Sequence, residues 1–356
     1  MEENRDIFSM LDLQLRPGFC VKDHQILHVN PAAQGLPLSP GADIRTLLAT
    51  GQEEYEDFQG GCLSLALNLM PEGCGVTVTR VDGWDIFLFD PLQEDSALQA
   101  MALSAQELRQ SLSSIMIAAQ RMMPLASQEN PHGAEQAALL NRGMHQMLRT
   151  ISNMSDAGRY HTGYHPEYQN LTALFGEILE KAQTLLGSAG LNLEFSVPDQ
   201  PIFGMADAEQ LERAVLNLLS NAGKASEKGG TISVALTRRG KMLRLCVQDS
   251  GKGIPEAVRG NVFQRYLRHP SLDDSLNGIG LGFVLIRSVA ANHGGTVLID
   301  QPGKTGTRVT MTIALRESGT DVLRSPILRP DYAGGWDHAL VELSDCLPLQ
   351  VYRPEN

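Results

Sequence analysis

Three glycines at alternating positions, Gly278, Gly280 and Gly282, run straight into the apolar stretch Phe283-Val284-Leu285-Ile286. Glycine lacks a Cβ, so backbone there can take positive φ and approach a ligand closely. The helix that the apolar run predicts starts with unpaired N–H groups and a partial positive charge. The combination suits an anion, most often phosphate. Alone it suits a tight connection with no ligand equally well. The upstream residues Arg265 to Leu276 are polar and give no strand, so the βαβ setting of a dinucleotide loop is missing. No GxxxxGK followed by Ser or Thr occurs in the chain, which removes the lysine-bearing phosphate loop.

Two further elements lie upstream. Asp249-Ser250-Gly251-Lys252-Gly253-Ile254-Pro255 follows an apolar strand, Met242 to Val247. Before that, Ala208 to Ala225 reads as an amphipathic helix, with Asn217 and Asn221 on one face and Lys224 beyond them on the same side. Taken singly, the asparagines could be a satisfied polar pair in a core, and Asp249 a strand-to-turn residue.

In this order the motifs resemble the ATP-binding domain shared by sensor histidine kinases, gyrase, the Hsp90 chaperones and MutL. The resemblance runs from about Leu171 to Leu315 and includes Asn261-Val262-Phe263-Gln264-Arg265-Tyr266, similar to the aromatic box that precedes the nucleotide lid in histidine kinases. It implies an α/β-sandwich domain binding ATP with Mg²⁺. Asn221 would give an amide oxygen to the metal with Asn217 close by, Lys224 would face the phosphates, and Asp249 would accept from the adenine amino group. Gly251 and Gly253 would let backbone pass the base. Gly278, Gly280, Leu281 and Gly282 would lie over the phosphates, and Phe263 and Tyr266 would flank the site. The ATP-hydrolysing relatives place a glutamate where this chain has Asn217. An amide cannot take a proton at neutral pH, so the sequence favours phosphoryl transfer to a protein, where positioning and charge neutralisation dominate.

The preceding region supports the kinase branch. Leu98, Met101, Ala105, Leu108, Leu112, Ile115, Ala119 and Met122 form a heptad seam, and Leu140, Met144, Met147, Ile151 and Met154 form a second. Pro124 and Asn130-Pro131-His132-Gly133 are expected to break the pattern between them. Such an αα-hairpin would become a four-helix bundle in a homodimer, and it resembles the dimerisation and phosphoacceptor hairpin of histidine kinases. One departure matters. Ser104 to Ile115 aligns with the family's phosphoacceptor motif, but Gln106 stands at the histidine and Ser111 at the proline, while Glu107 is in place. Glutamine has no nucleophilic ring nitrogen. The catalytic residue is therefore unknown, and the first helix should be straighter than the family's kinked one. None of His132, His145, His161 and His165 sits in an acceptor-like context; His145, beside the second seam, comes nearest because it projects from the bundle. Gln110, one turn after Gln106, stands where the family often positions a water-orienting Thr or Asn.

The front of the chain reads strand, turn, strand and short helix over Phe19 to Ala33, a short helix at Ile44 to Ala49, then strands near Cys62–Leu69, Gly75–Arg80 and Asp85–Phe89. The pattern resembles a PAS sensor domain with Asn30 at that family's usual asparagine; an unrelated small α+β module is the alternative. Arg316 to Gly335 reads as a linker, and His338–Leu343 and Pro348–Tyr352 as two short strands that could join a sheet edge or fill a groove.

The expected organisation is α+β and multidomain: a PAS-like sensor over 1–93, a helical hairpin over 94–160, the ATP-binding domain over 161–317, and a linker and tail over 318–356. A chain of 356 residues with 42% hydrophobic content fits several globular units. No apolar run approaches the ~18 residues of a membrane span, the start of the chain is not a signal peptide, and five cysteines without a CxxC pair suit a reducing cytoplasm. A net charge of −12 argues against nucleic acid as partner. The expected partners are a response regulator or a second histidine kinase. The chain is then a two-component kinase or a pseudokinase that binds ATP and regulates a partner.

Overall fold

The computed structural model describes residues 2–69, 74–90, 95–129, 131–157, 164–254, 262–263, 281–303, 305–317 and 335–353. Tyr266, Gly278, Gly280, His161 and most of the aromatic box and linker expected above lie outside them.

A helix not anticipated from sequence, α1 (Glu2–Asp12), opens the chain. Strands β1 (Gly18–Lys22), β2 (Gln25–Val29), β3 (Cys62–Leu67), β4 (Cys74–Val81) and β5 (Trp84–Phe89) follow, with a short helix α2 (Gln52–Glu56) before β3. The expected helix at Ile44 is a single 3₁₀ turn, Ile44–Thr46, started by the Asp43 side chain accepting from Arg45 N. These strands form an antiparallel sheet ordered β2-β1-β5-β4-β3. Asn30 is fully buried and ties the front together. Its Oδ1 accepts from the N–H groups of Gly18 and Ala33, and its Nδ2 donates to the carbonyl of Arg16. A buried amide is tolerated here because its polar atoms find backbone partners.

Two long helices come next, α3 (Asp95–Glu129) and α4 (Pro131–Ala157), packed antiparallel. Two expectations are corrected. Pro124 does not end α3, and Pro131-His132-Gly133 is not a loop but the first turn of α4, where proline's missing N–H costs nothing. The heptad seam also divides between two faces. Ala105, Leu112, Met116 and Ala119 pack on Ala137, Met144, Leu148 and Ile151, while Leu108, Ile115, Met122, Leu140 and Met147 are at least half exposed.

The second half holds β6 (Glu167–Asn170), α5 (Leu171–Ser188), β7 (Asn192–Ser196), β8 (Phe203–Ala206), α6 (Ala208–Ala225), β9 (Thr231–Arg239), β10 (Met242–Asp249), α7 (Gly282–Asn292), β11 (Val297–Asp300) and β12 (Arg308–Ala314). The strands run β11-β12-β10-β9-β7, all antiparallel except β7 beside β9. Apolar faces of α5, α6 and α7 bury Leu179, Leu211, Val215, Leu285 and Val289 against Val234, Leu245 and Met311 of the sheet. The N-cap Asp207 accepts from Gln210 N and so fixes the start of α6, the helix that carries both asparagines.

The two sheets are one. Edge strand β3 pairs antiparallel with edge strand β11, matching Val297 with Ser64, Leu298 with Leu63 and Ile299 with Cys62, so a ten-stranded sheet crosses from the front unit into the second half. Gly61 makes the join possible: its φ is +95°, and a Cβ there would stand 2.2 Å from the carbonyl oxygen of Ile299.

The tail corrects the last expectation. His338–Leu343 and Pro348–Tyr352 are not strands. They form a helical turn, α8 (His338–Glu342), and a 3₁₀ turn, Leu349–Tyr352. The Asp337 carboxylate starts α8 by accepting from the N–H groups of Ala339 and Leu340. Ala339, Leu343, Leu347 and Tyr352 are buried in the core of the second half, and Val341 in that of the hairpin, so the tail fills the groove between α4 and α6.

Candidate nucleotide site

The glycine turn after β10 is built by close approach. A Cβ on Gly251 would lie 2.2 Å from the carbonyl oxygen of Ala225, at the end of α6, so no other residue lets the turn seat there. Gly253 has a φ of +76°. Opposite it stands Gly306, which donates its N–H to the carbonyl of Gly251 at 2.7 Å. Asp249 is nearly buried, and its Oδ1 accepts from the N–H groups of Gly251 at 2.8 Å and Thr307 at 3.1 Å. Burial pushes the Asp249 carboxyl above the usual carboxylate range, and the hydrogen bonds from Gly251 and Thr307 offset part of that rise. A buried acceptor of this kind, whose hydrogen bonds among the described residues come from backbone N–H groups, suits an uncharged N–H donor. Gly306 and Thr307 were not singled out from sequence; the glycine between two threonines, Thr305-Gly306-Thr307, was the available signal.

At the other end of the site, α6 presents Asn217 and Asn221 to the first residue of α7. A Cβ on Gly282 would lie 3.4 Å from Asn217 Oδ1 and 3.6 Å from Asn221 Nδ2. The side-chain-free start of α7 thus lies against both amides, which share one face of α6. Leu281 caps α7 and is buried, and Phe263 is buried edge-on to Phe283 with centroids 6.3 Å apart. Asn221 offers an amide oxygen, and one protein ligand fits Mg²⁺, which keeps waters and takes phosphate oxygens in preference to an all-protein cage. Among the described residues there is no cluster of three or more His, Cys, Asp or Glu to hold a metal by itself. Asn217 is fully buried and already engaged: its Nδ2 donates to the carbonyl of Arg213 and to Glu342 Oε2, each at 3.0 Å, and its Oδ1 accepts from Arg149 Nη2 at 3.3 Å.

Those partners were invisible to sequence reasoning. Arg149 comes from α4, Glu342 and Asp345 from the tail. Glu342, fully buried, bridges Arg149 Nε at 3.2 Å and Arg213 Nε at 3.3 Å. Asp345 bridges Arg149 and also Lys224, whose Nζ lies 2.6 Å from Asp345 Oδ2. Burial lowers the Lys224 ammonium, and the adjacent Arg149 charge lowers it further, against the raising effect of Asp345. Arg213 Nη2 donates in turn to Asn153 of α4 at 3.0 Å.

Gln106, Glu107 and Gln110 are not drawn into this cluster. They lie exposed on α3, and the helix is continuous through Ser111. His145 is neither exposed nor acceptor-like. It is buried in α4, its Nδ1 donates to the carbonyl of Asn141 at 2.8 Å, and the rings of Trp336 and Tyr352 close over it with centroids 4.7 and 5.0 Å away.

Comparison with known proteins agrees with the geometry. Residues 206–317 match the family of histidine kinase-, DNA gyrase B- and HSP90-like ATPases. The chain is 37% identical over 142 residues to the signal transduction histidine-protein kinase/phosphatase MprB of Mycolicibacterium vanbaalenii, which covers 39% of this chain and 29% of that relative. It is 30% identical over 217 residues to the adaptive-response sensory kinase SasA of Crocosphaera subtropica, covering 58% of this chain and 56% of the relative. It therefore spans less than two thirds of either curated relative. A solved structure of a mycobacterial sensor histidine kinase MprB superposes with a TM-score of 0.37 at 30% identity, covering 43% of this chain and 100% of that one. Residues 206–317 thus carry the histidine kinase-, gyrase B- and HSP90-like ATPase domain, and the named relatives that match it over a longer stretch are sensor histidine kinases.

Proposed function

We propose that this protein binds Mg-ATP and serves a two-component signalling system as a cytoplasmic, homodimeric kinase-like protein with a response regulator or a partner histidine kinase as its target. The observation that carries the nucleotide reading is the meeting of three sequence-distant motifs: Asp249 with Gly251 at one end, and Asn217 and Asn221 against Gly282 at the other. Asp249 and its glycine turn orient the adenine, Asn221 holds the metal, and Lys224 meets the phosphates. Mg²⁺, when bound, supplies charge neutralisation between phosphate oxygens.

The strand order β2-β1-β5-β4-β3 and the buried Asn30 support a PAS-like reading of residues 1–93. The exposed apolar row Leu108, Ile115, Met122, Leu140 and Met147 supports dimerisation of the hairpin, since a second copy would cover it. Five free cysteines support a reducing compartment, and among the described residues no helix is long and apolar enough to cross a membrane.

Gln106 favours a second reading, that of a pseudokinase which binds ATP and regulates a partner as a scaffold. Incubation of the purified protein with γ-labelled ATP and Mg²⁺ separates the two. A kinase with an unconventional acceptor gives acid-labile, base-stable label that Asn221→Ala abolishes. A scaffold gives nucleotide binding without label, and a Gln106→His variant that then takes label shows that only the acceptor had been lost. Absence of nucleotide binding, both in the native chain and in one whose tail carboxylates Glu342 and Asp345 are neutralised, would overturn both readings.

A further inference from the structure

Nothing in the nucleotide reading accounts for the buried charge cluster at the junction of α4, α6 and the tail. Two tail carboxylates sit there on three cations. Glu342 lies on Arg149 and Arg213, and Asp345 on Arg149 and Lys224. Both acids also contact residues that the nucleotide reading sets at the metal and phosphate end of the site. Asn217 donates to Glu342 at 3.0 Å, and Lys224 meets Asp345 at 2.6 Å. Burying charge of either sign is costly unless it is paired. The cations therefore demand an anion in this position, and α8 and the turn after it deliver one.

Shape supports the same conclusion. A carboxylate on a planar guanidinium and an ammonium presents oxygens much as a phosphate does. Arg149 sits at the centre, contacting Glu342, Asp345 and Asn217 at once. The apolar side of the tail anchors the acids: Leu343, Leu347 and Tyr352 are buried in the core, and Trp336 and Tyr352 close over His145. The tail thus bridges hairpin and ATP-binding domain through the phosphate end of the site, while the adenine end at Asp249 makes its hydrogen bonds with Gly251 and Thr307.

We propose that Arg149, Lys224 and Asn217 form an anion site for the terminal phosphates of the nucleotide, and that Glu342 and Asp345 of the chain's own tail fill it in the state described here. Tail and triphosphate then exclude one another. Arg149, which lies outside the ATP-binding domain, becomes a phosphate-binding residue once the tail has left, and Arg213 is the anchor that holds Glu342. The inference rests on the nucleotide reading above.

The test uses the full chain, Mg-AMPPNP and AMP. Glu342→Gln with Asp345→Asn keeps size and removes the competing charge. It is expected to raise AMPPNP affinity by roughly tenfold or more, with a much smaller gain for AMP. In the unaltered protein, saturating Mg-AMPPNP is expected to speed hydrogen exchange in residues 336–352, a readout that needs no variant. Adding Arg149→Gln to the double variant is expected to take back roughly tenfold of AMPPNP affinity and little of AMP affinity. Equal AMPPNP affinity before and after the double substitution, equal gains for both nucleotides, or unchanged tail exchange on binding each overturn the proposal and leave the nucleotide reading standing. Failure of the native and the double-substituted chain alike to bind either nucleotide overturns both.

Discussion

The ATP-binding domain is gripped from two sides, and the grips are made of different material. The front unit holds it through backbone: β3 lies beside β11, and the partners of the join are Ser64, Leu63 and Cys62 against Val297, Leu298 and Ile299. The tail holds it through side-chain charge: Glu342 and Asp345 on Arg149, Arg213 and Lys224. Ladder hydrogen bonds are made by groups that every non-proline residue carries, so they tolerate many substitutions and little displacement. A charge cluster depends on a few named atoms and on the absence of a better anion. The first grip is suited to permanence, the second to release.

The largest expected effect comes from breaking the permanent grip. Gly61→Val places a branched side chain at a φ of +95° and a Cβ 2.2 Å from Ile299 O. It should destabilise the joined protein by about 3 kcal/mol or more. Calorimetry is expected to show the single transition splitting as the front unit melts apart from the rest. A single transition at unchanged temperature would show that the seam adds nothing.

Glu342→Ala comes second. It strips the shared partner from Arg149 and Arg213, both nearly buried, and should cost about 3 kcal/mol. The loss should be local, read as faster hydrogen exchange in residues 336–352 with exchange at β3 and β11 unaltered.

Acid should separate the grips more gently. Burial holds the His145 imidazole below the ordinary histidine range, against raising effects from the Asn141 carbonyl and Asp337. A group whose pKa is depressed when docked contributes its full stability above the undocked pKa. That contribution is lost as pH falls from the ordinary histidine value toward the depressed one. Tail protection should therefore weaken across that window, while the seam, which pairs no titratable carboxylate or imidazole, keeps its own. His293, in the core beneath α7, is depressed chiefly by burial in the same way, so the ATP-binding domain as a whole should lose some stability over the same window. Tail exchange that does not respond to pH, after correction for intrinsic rates, would count against this account.

The smallest effect belongs to Arg239, which pairs with Glu53 and Asp57 across the two units with both ends more than half exposed. Arg239→Ala is expected to leave the melting temperature within error, because solvent and salt screen such pairs.

What the sequence disclosed follows the same division. Asn217, Asn221 and Lys224 on one helix face, and Asp249 before its glycines, could be placed because each reads from neighbours a few residues away. Strands β3, β4 and β5 were legible as short apolar runs for the same reason. The β3–β11 join was not, since edge pairing between residues so far apart leaves no local pattern. The tail misled because Ala339-Leu340-Val341, with Leu343 close after, makes a short apolar run that reads as a strand. Asp337 capped the segment as a helix instead, and the groove that buries both sides of it does not exist until α4 and α6 have met. Each hairpin helix was read as carrying one seam, although Leu108, Ile115, Met122, Leu140 and Met147 face outward from a single copy. Arg149 carries no motif and gains its meaning only from what packs against it.

The shared sheet also has a consequence for how the chain is made. Strand β3, Cys62-Leu63-Ser64-Leu65-Ala66-Leu67, leaves the ribosome long before its partner at Val297–Asp300. At ordinary elongation rates the wait is on the order of tens of seconds. During that time the front unit carries an unpaired, apolar strand edge, the feature that most readily recruits a neighbouring chain. The seam is therefore a debt incurred early in synthesis and settled only when the ATP-binding domain is nearly finished. Fragments that stop before β11 inherit the open edge.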